Sequence, residues 1–163
     1  MKRLFLLGLA VVFLLLLGKM FVRALADDET KIRWIVEEMR DGYNDGGVGD
    51  VVGPLHLDWR HRGSGVDRDL VRGGLVREFF QDRDPKTKQL LRRVDFDPES
   101  IAIEVDGDAA TLELVAAFSR LRGAGEWEEV WRARIEGDLL RVDDRWRLHR
   151  TRHEDLDGSV RAR

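Results

Sequence analysis

The spacing of apolar residues changes once along this chain, and that change limits the fold more than any other feature. From Asp28 to about Pro85 apolar side chains recur every three or four residues, and from Leu90 onward they recur every second residue. A helix returns a side chain to one face after 3.6 residues and a strand after two. The order is therefore helices first and a meander of strands after them, an α+β arrangement with N-terminal helices packed on an antiparallel sheet.

In the helical half, Ile32, Ile35, Val36, Met39 and Tyr43 form the buried stripe of a first helix capped by Asp28 and ended by the glycines from Gly42 to Gly47. One or two turns follow before Pro54, and Leu57 to Arg62 reads as a short strand. Ser64-x-x-Asp67 has the form of a capping box, opening a helix whose buried positions are Leu70, Val71, Leu75, Phe79 and Phe80. In the strand half, Leu90, Val94 and Phe96 alternate with polar residues, as do Ile101, Ile103 and Val105, and Asp106-Gly107 supplies a tight turn. Ala109 to Leu121 is a long strand with Leu112, Leu114, Ala116 and Phe118 on one face. Strict alternation then puts Trp127, Glu129, Trp131, Ala133 and Ile135 on one face of the next strand. Gly137 marks a bulge there, and Asp143-Asp144 turns the chain into a last strand from Arg145 to Glu154.

The first 26 residues are of different material. Leu4 to Gly18 is apolar throughout, a helix of roughly 22 Å at 1.5 Å per residue, short of a bilayer core of about 30 Å. Lys2 and Arg3 before it and Ala24-Leu25-Ala26 after it give the form of a secretory signal peptide. Lys19 and Arg23 favour a longer helix, residues 4–25, left uncleaved as a membrane anchor. The expectation is thus an apolar N-terminal helix in residues 1–26, signal peptide or anchor, and one α+β domain in residues 27–163. In a bacterial chain either outcome makes that domain periplasmic, secreted or inner-membrane anchored outside the cytoplasm.

Those 26 residues hold four bases and no acid, which leaves 24 bases and 31 acids from residue 27 on, a net charge of −7. An acidic domain does not favour nucleic acid as a partner. There is no cysteine, so disulfides, thiolate metal sites and a cysteine nucleophile are excluded. His56 and His61, five apart, and His149 and His153, four apart on a strand, do not make a metal motif. Neither a metal nor a cofactor is expected.

The stretches "LHLDWRHRGSGVDRDLVRGGLVREFF" and "VWRARIEGDLLRVDDRWRLHR" resemble the short strand, glycine turn and third helix, and the closing long hairpin, of the nuclear transport factor two-like superfamily. The likeness runs from about Asp28 to Asp155. It implies a cone-shaped fold in which helices and the concave face of a curved sheet enclose a pocket. Some members of that superfamily are isomerases with an acidic general base near the end of the first strand, and His61 stands at a loosely comparable place with a different side chain. An imidazole there is able to act as base or acid near neutral pH.

Alternation then selects the residues that reach such a pocket. Trp59 inward brings His61 with it. Trp146 and Leu148 inward bring Arg150 and Arg152 and send His149 and His153 to the convex side. Glu129, between Trp127 and Trp131, meets Arg150 across the strands, because a carboxylate among indoles needs a partner. Tyr43, Trp59, Glu129, Trp131 and Arg150 are the candidate ligand-binding residues and His61 is the candidate catalytic one. The reading is an extracytoplasmic module without catalytic activity that binds a small apolar ligand or a protein partner. The alternative is a cofactor-free isomerase, cyclase or hydrolase acting on a hydrophobic molecule with His61 as general base. A homodimer through the convex sheet face, with Val130, Arg132, Arg134, Arg147 and His149, is a further expectation.

Overall fold

A computed structural model describes residues 26–123 and 125–158, so the apolar N-terminal run lies outside the described residues. Helix α1 spans Asp28–Asp45. Its cap is Asp27, one residue before the expected Asp28: the Asp27 carboxylate accepts the Thr30 N–H at 2.7 Å. Gly46 closes the helix at φ +77°, where a side chain would be strained and its Cβ would lie 2.5 Å from Arg83 Nη2. Helix α2, Val48–Val52, leads to strand β1, Leu55–His61.

Helix α3 covers Arg68–Gln81 and is capped by Asp67, whose carboxylate accepts the Leu70 N–H at 2.9 Å; Ser64 is free of the capping role expected of it. Leu75 and Phe79 are buried, but Leu70 is 63% and Phe80 84% exposed, contrary to the expected stripe. The reason is angular. Each residue advances about 100° around a helix, so the buried line through 71, 75 and 79 leaves 70 and 80 on the far side.

The strands are β2 (Arg92–Asp95), β3 (Ala102–Asp106), β4 (Ala109–Leu121), β5 (Trp127–Val142) and β6 (Arg145–Gly158). They form one sheet in the order β1-β6-β5-β4-β2, with β3 also on β4. The sheet is mixed, not antiparallel throughout: β1 runs parallel to β6. A hairpin forces antiparallel pairing, and β1 reaches the sheet through α3 and the whole meander instead.

Bulges bend the long strands. Between β4 and β5 the register slips beyond Phe118, making Val130 an extra residue on β5; between β5 and β6 it slips twice, leaving His149 and Leu156 extra on β6. Gly137 is not one of these positions. It pairs with Leu112 and Thr151, and a Cβ there would sit 2.8 Å from Leu148 Cδ2 and 3.2 Å from Leu112 Cγ, so its smallness serves close packing.

The concave face supplies Leu112, Leu114, Ala116, Ala133, Leu139, Trp146 and Leu148, all buried. Most of this face joins Trp59 of β1, Ile32 and Val36 of α1 and Leu75 and Phe79 of α3 in one hydrophobic cluster. At one end of this cluster the start of α1 is tied to two strand turns. The Asp28 carboxylate accepts from Trp146 Nε1 at 3.2 Å and from Arg141 Nη2 at 2.9 Å, and the same Arg141 atom donates to the Gly107 carbonyl at 2.8 Å.

The Trp146 N–H, with Lys31 and Arg141, holds the Asp28 carboxyl below its ordinary value. A carboxyl depressed in the folded state stabilises fully above its unfolded pKa, about 3.9, and ceases to do so as pH falls through the folded one. Thermal melts of Asp28→Asn and the parent should therefore differ at about pH 6 and draw together as pH falls through the folded-state value; a gap that stays constant as pH falls would show that the charge is not what this contact uses.

Candidate functional site

Away from the start of α1, the concave side carries a connected set of aromatic and polar side chains. Tyr43, in the last turns of α1, packs edge-on against Phe79 at 5.3 Å and Phe118 at 6.4 Å, and its hydroxyl donates to Glu78 Oε1 at 2.6 Å. Phe118 stacks on Trp131, with ring centroids 4.3 Å apart. Trp131 Nε1 donates to Asp155 Oδ1 at 2.8 Å, and His153 Nε2 is 3.7 Å from the same oxygen. The other His153 nitrogen, Nδ1, shares a hydrogen bond with His61 Nε2 at 2.9 Å, and His61 Nδ1 lies 2.8 Å from Ser64 Oγ. Ser64 sits between Gly63 and Gly65, at φ +90° and +70°, a turn only glycines form without strain.

The electrostatics follow from this packing. Burial, then the neighbouring His153, pushes the His61 imidazole below its ordinary value, so it is neutral at neutral pH and able to accept a proton. Tyr43 is pushed the other way, upward, by burial and then by Glu78, and remains a neutral donor. Among the described residues no set of three histidine or carboxylate side chains is placed to hold a metal ion.

No family model matches the chain, and no curated protein matches its sequence. Solved structures do match. A protein from Novosphingobium aromaticivorans described as NTF2-like with a cystatin-like fold aligns with a TM-score of 0.65 at 17% identity, over 89% of this chain and 90% of that one. A protein of unknown function with a cystatin-like fold from Nostoc punctiforme aligns at 0.63 and 14% identity, over 82% and 94%. Aln2 from a Streptomyces species aligns at 0.66 and 16% identity, over 85% and 99%. The chain has the nuclear transport factor two-like fold. Identities this low carry the fold and no activity, which has to be argued from the side chains.

On this nuclear transport factor two-like scaffold the expected site residues divide. Tyr43, Trp59, Trp131 and His61 face the helices as expected, although Trp59 is core, 5% exposed, with its Nε1 buried and without a partner. Glu129 and Arg150 do not. The bulge at Val130 reverses the alternation of β5, so Glu129 turns outward and clasps Arg132 at 2.8 and 2.7 Å instead of meeting Arg150. Trp127 is likewise outward, under the Arg93 guanidinium at 4.6 Å. The bulge at His149 reverses β6: Arg150 pairs opposite Asp138 on the convex side, and Arg152 clasps Glu136 there at 2.6 and 2.7 Å.

The same reversal brings His153 and Asp155 inward, opposite Ile135 and Ala133. Neither was a candidate, and alternation alone could not find them. All four histidines in fact straddle the β1–β6 seam in two pairs, since the His56 and His149 rings meet edge-on at 5.4 Å.

Proposed function

We propose that residues 27–163 form a non-catalytic binding module held outside the cytoplasm, and that its ligand is a protein partner met over the surface. The observation that carries this reading is the packed concave side. Trp59 and Trp146 are 5% and 3% exposed in the cluster where a small apolar ligand would otherwise lie. A binding pocket needs concave volume lined by apolar groups, and here large indoles occupy it. Val76 and Phe80, 53% and 84% exposed on the outer side of α3, are apolar surface of the kind partners cover.

Two measurements test the proposal. Fractionation and intact-mass analysis of the native protein should find it in membrane or exported fractions, beginning at Met1 if anchored or at Asp27 if cleaved. Soluble cytoplasmic protein retaining residues 1–26 would remove the location. An environment-sensitive apolar dye added to the folded protein should stay dim, whereas stoichiometric uptake with bright emission would replace the protein partner by a small ligand.

One observation favours a second reading, a cofactor-free isomerase, cyclase or hydrolase acting on a hydrophobic molecule. His61 is neutral and partly exposed, with Nε2 bonded to a second imidazole and Nδ1 to the Ser64 hydroxyl, so the proton a general base there is placed to accept is that hydroxyl's.

A further inference from the structure

Resting on the reading of His61 as a general base, we infer that the Ser64 hydroxyl is a nucleophile that accepts an acyl group from an activated ester. Three side chains stand in series behind that hydroxyl. Ser64 Oγ is 2.8 Å from His61 Nδ1, His61 Nε2 is 2.9 Å from His153 Nδ1, and His153 Nε2 is 3.7 Å from Asp155 Oδ1.

The order of protons along the series follows from its far end. A carboxylate only accepts, so it favours the proton of His153 on Nε2, the nitrogen that faces it. His153 Nδ1 is then an acceptor, and the tautomer of His61 that serves it carries its proton on Nε2. That leaves the lone pair of His61 Nδ1 aimed at Ser64, whose O–H donates to it. A nucleophile within hydrogen-bond reach of a base, with the base oriented by a third group, is the arrangement that activated hydroxyls share.

The turn that carries Ser64 keeps hydroxyl and imidazole in register and leaves them open. His61 N–H donates to the Val66 carbonyl at 2.8 Å, Gly65 N–H to the His61 carbonyl at 3.2 Å, and Val66 N–H to Ser64 Oγ at 3.3 Å. Ser64 is exposed, and a Cβ added to Gly63 or Gly65 would meet nothing within 4 Å, so a carbonyl carbon has room to approach Oγ. Ser100 is the contrast: its hydroxyl donates to the Asp97 carbonyl at 2.8 Å, an acceptor that cannot take the proton away.

In the transfer, Oγ bonds to the carbonyl carbon, the bond from that carbon to the alcohol oxygen breaks, and the proton passes from Oγ through His61 Nδ1 to the departing alkoxide. Ser64 is left as an acyl ester. A single transfer per chain needs no turnover, so it is compatible with partner binding as well as with hydrolysis.

A fluorophosphonate probes the hydroxyl by the same route: an Oγ–P bond forms, the P–F bond breaks, and fluoride leaves with the proton. Full-length protein treated with it should gain one adduct, mapped to Ser64 by peptide mass analysis, with Ser100 and the urea-unfolded parent unmodified. Ser64→Ala should take none. His61→Asn, melting near the parent, keeps a side chain able to bond Ser64 but has no basic nitrogen, and should react about 10²- to 10⁴-fold more slowly. His153→Ala should also react more slowly, and His153→Asn, which restores an acceptor near Nδ1, should recover rate. An adduct formed at the parent rate in His61→Asn or in the unfolded chain overturns activation by His61, and equal rates in the parent and His153→Ala remove His153 from the series. No adduct at Ser64 overturns the proposal, and p-nitrophenyl butyrate then separates it from the reading beneath. Hydrolysis lost in His61→Asn but kept in Ser64→Ala leaves the base acting on water, whereas no hydrolysis by the parent removes the base as well.

Discussion

Trp59→Ala should lower the stability of the domain by about 3–5 kcal/mol and create a binding site that the parent lacks. The indole is buried among Leu75, Phe79 and the concave residues, and its Nε1 makes no hydrogen bond with protein, so truncation removes packing without breaking a polar contact. The space left is the size of the ring that filled it. An apolar cavity of that kind stays dry and takes up a matching aromatic molecule. Added indole should therefore raise the melting temperature of the variant and leave the parent unchanged. If the variant melts near the parent and ignores indole, Trp59 does not fill the cone, and the argument for a protein partner loses its support.

His61→Ala carries the second large contrast, because the two functional readings expect different things of it. In a binding module the loss is two hydrogen bonds to partly exposed partners, about 1–2 kcal/mol, and nothing else. For a general base, turnover of a hydrophobic substrate would fall by about 10²- to 10⁴-fold while the melting temperature barely moved. The pH dependence adds a readout that needs no substrate. An imidazole held below its ordinary value binds its proton later in the folded state than in the unfolded one. Protonation then favours unfolding, and stability declines as pH falls below about 6.5. That decline should be smaller in His61→Ala. A parent curve flat from about pH 7 to about pH 5 would show that neither burial nor His153 holds the imidazole below its ordinary value in solution.

How much of this was legible in the residues depends on what each element answers to. The helices and strands were, because α1, α3 and the strands from Ala102 to Arg145 follow from period and turn residues alone, and both are local. Asp143 and Asp144, both at positive φ, turn the chain where the sequence places the turn. The pairing of β1 with β6 was not, since it joins residues some ninety apart and leaves no local mark.

The site failed for one specific reason. Alternation was extended from Trp146 and Leu148 through Arg152, and from Ile135 back through Trp127, across places where an extra residue intervenes. Val130 and His149 are bulge residues with no glycine or proline to announce them. A single added residue exchanges the two faces of everything beyond it. Tyr43, Trp59 and Trp131 lie on the near side of any such slip and were placed correctly. Glu129, Arg150, Arg152 and His153 lie past one and were not.

The parallel edge strand has a bearing on how the chain acquires its structure. β1 has one neighbour in the sheet, β6, the last strand of the described fold. Leu55 cannot find Leu148 until nearly all of the intervening chain is available, so the edge closes late, after a large loss of loop entropy. A chain emerging from its N-terminus, whether from a ribosome or through a membrane pore, carries α1, α2, β1 and α3 as a half without a sheet to cover. Its helices find cover on β2 to β5 as those strands appear, whereas β1 gains its place in the sheet only when the C-terminal strand arrives.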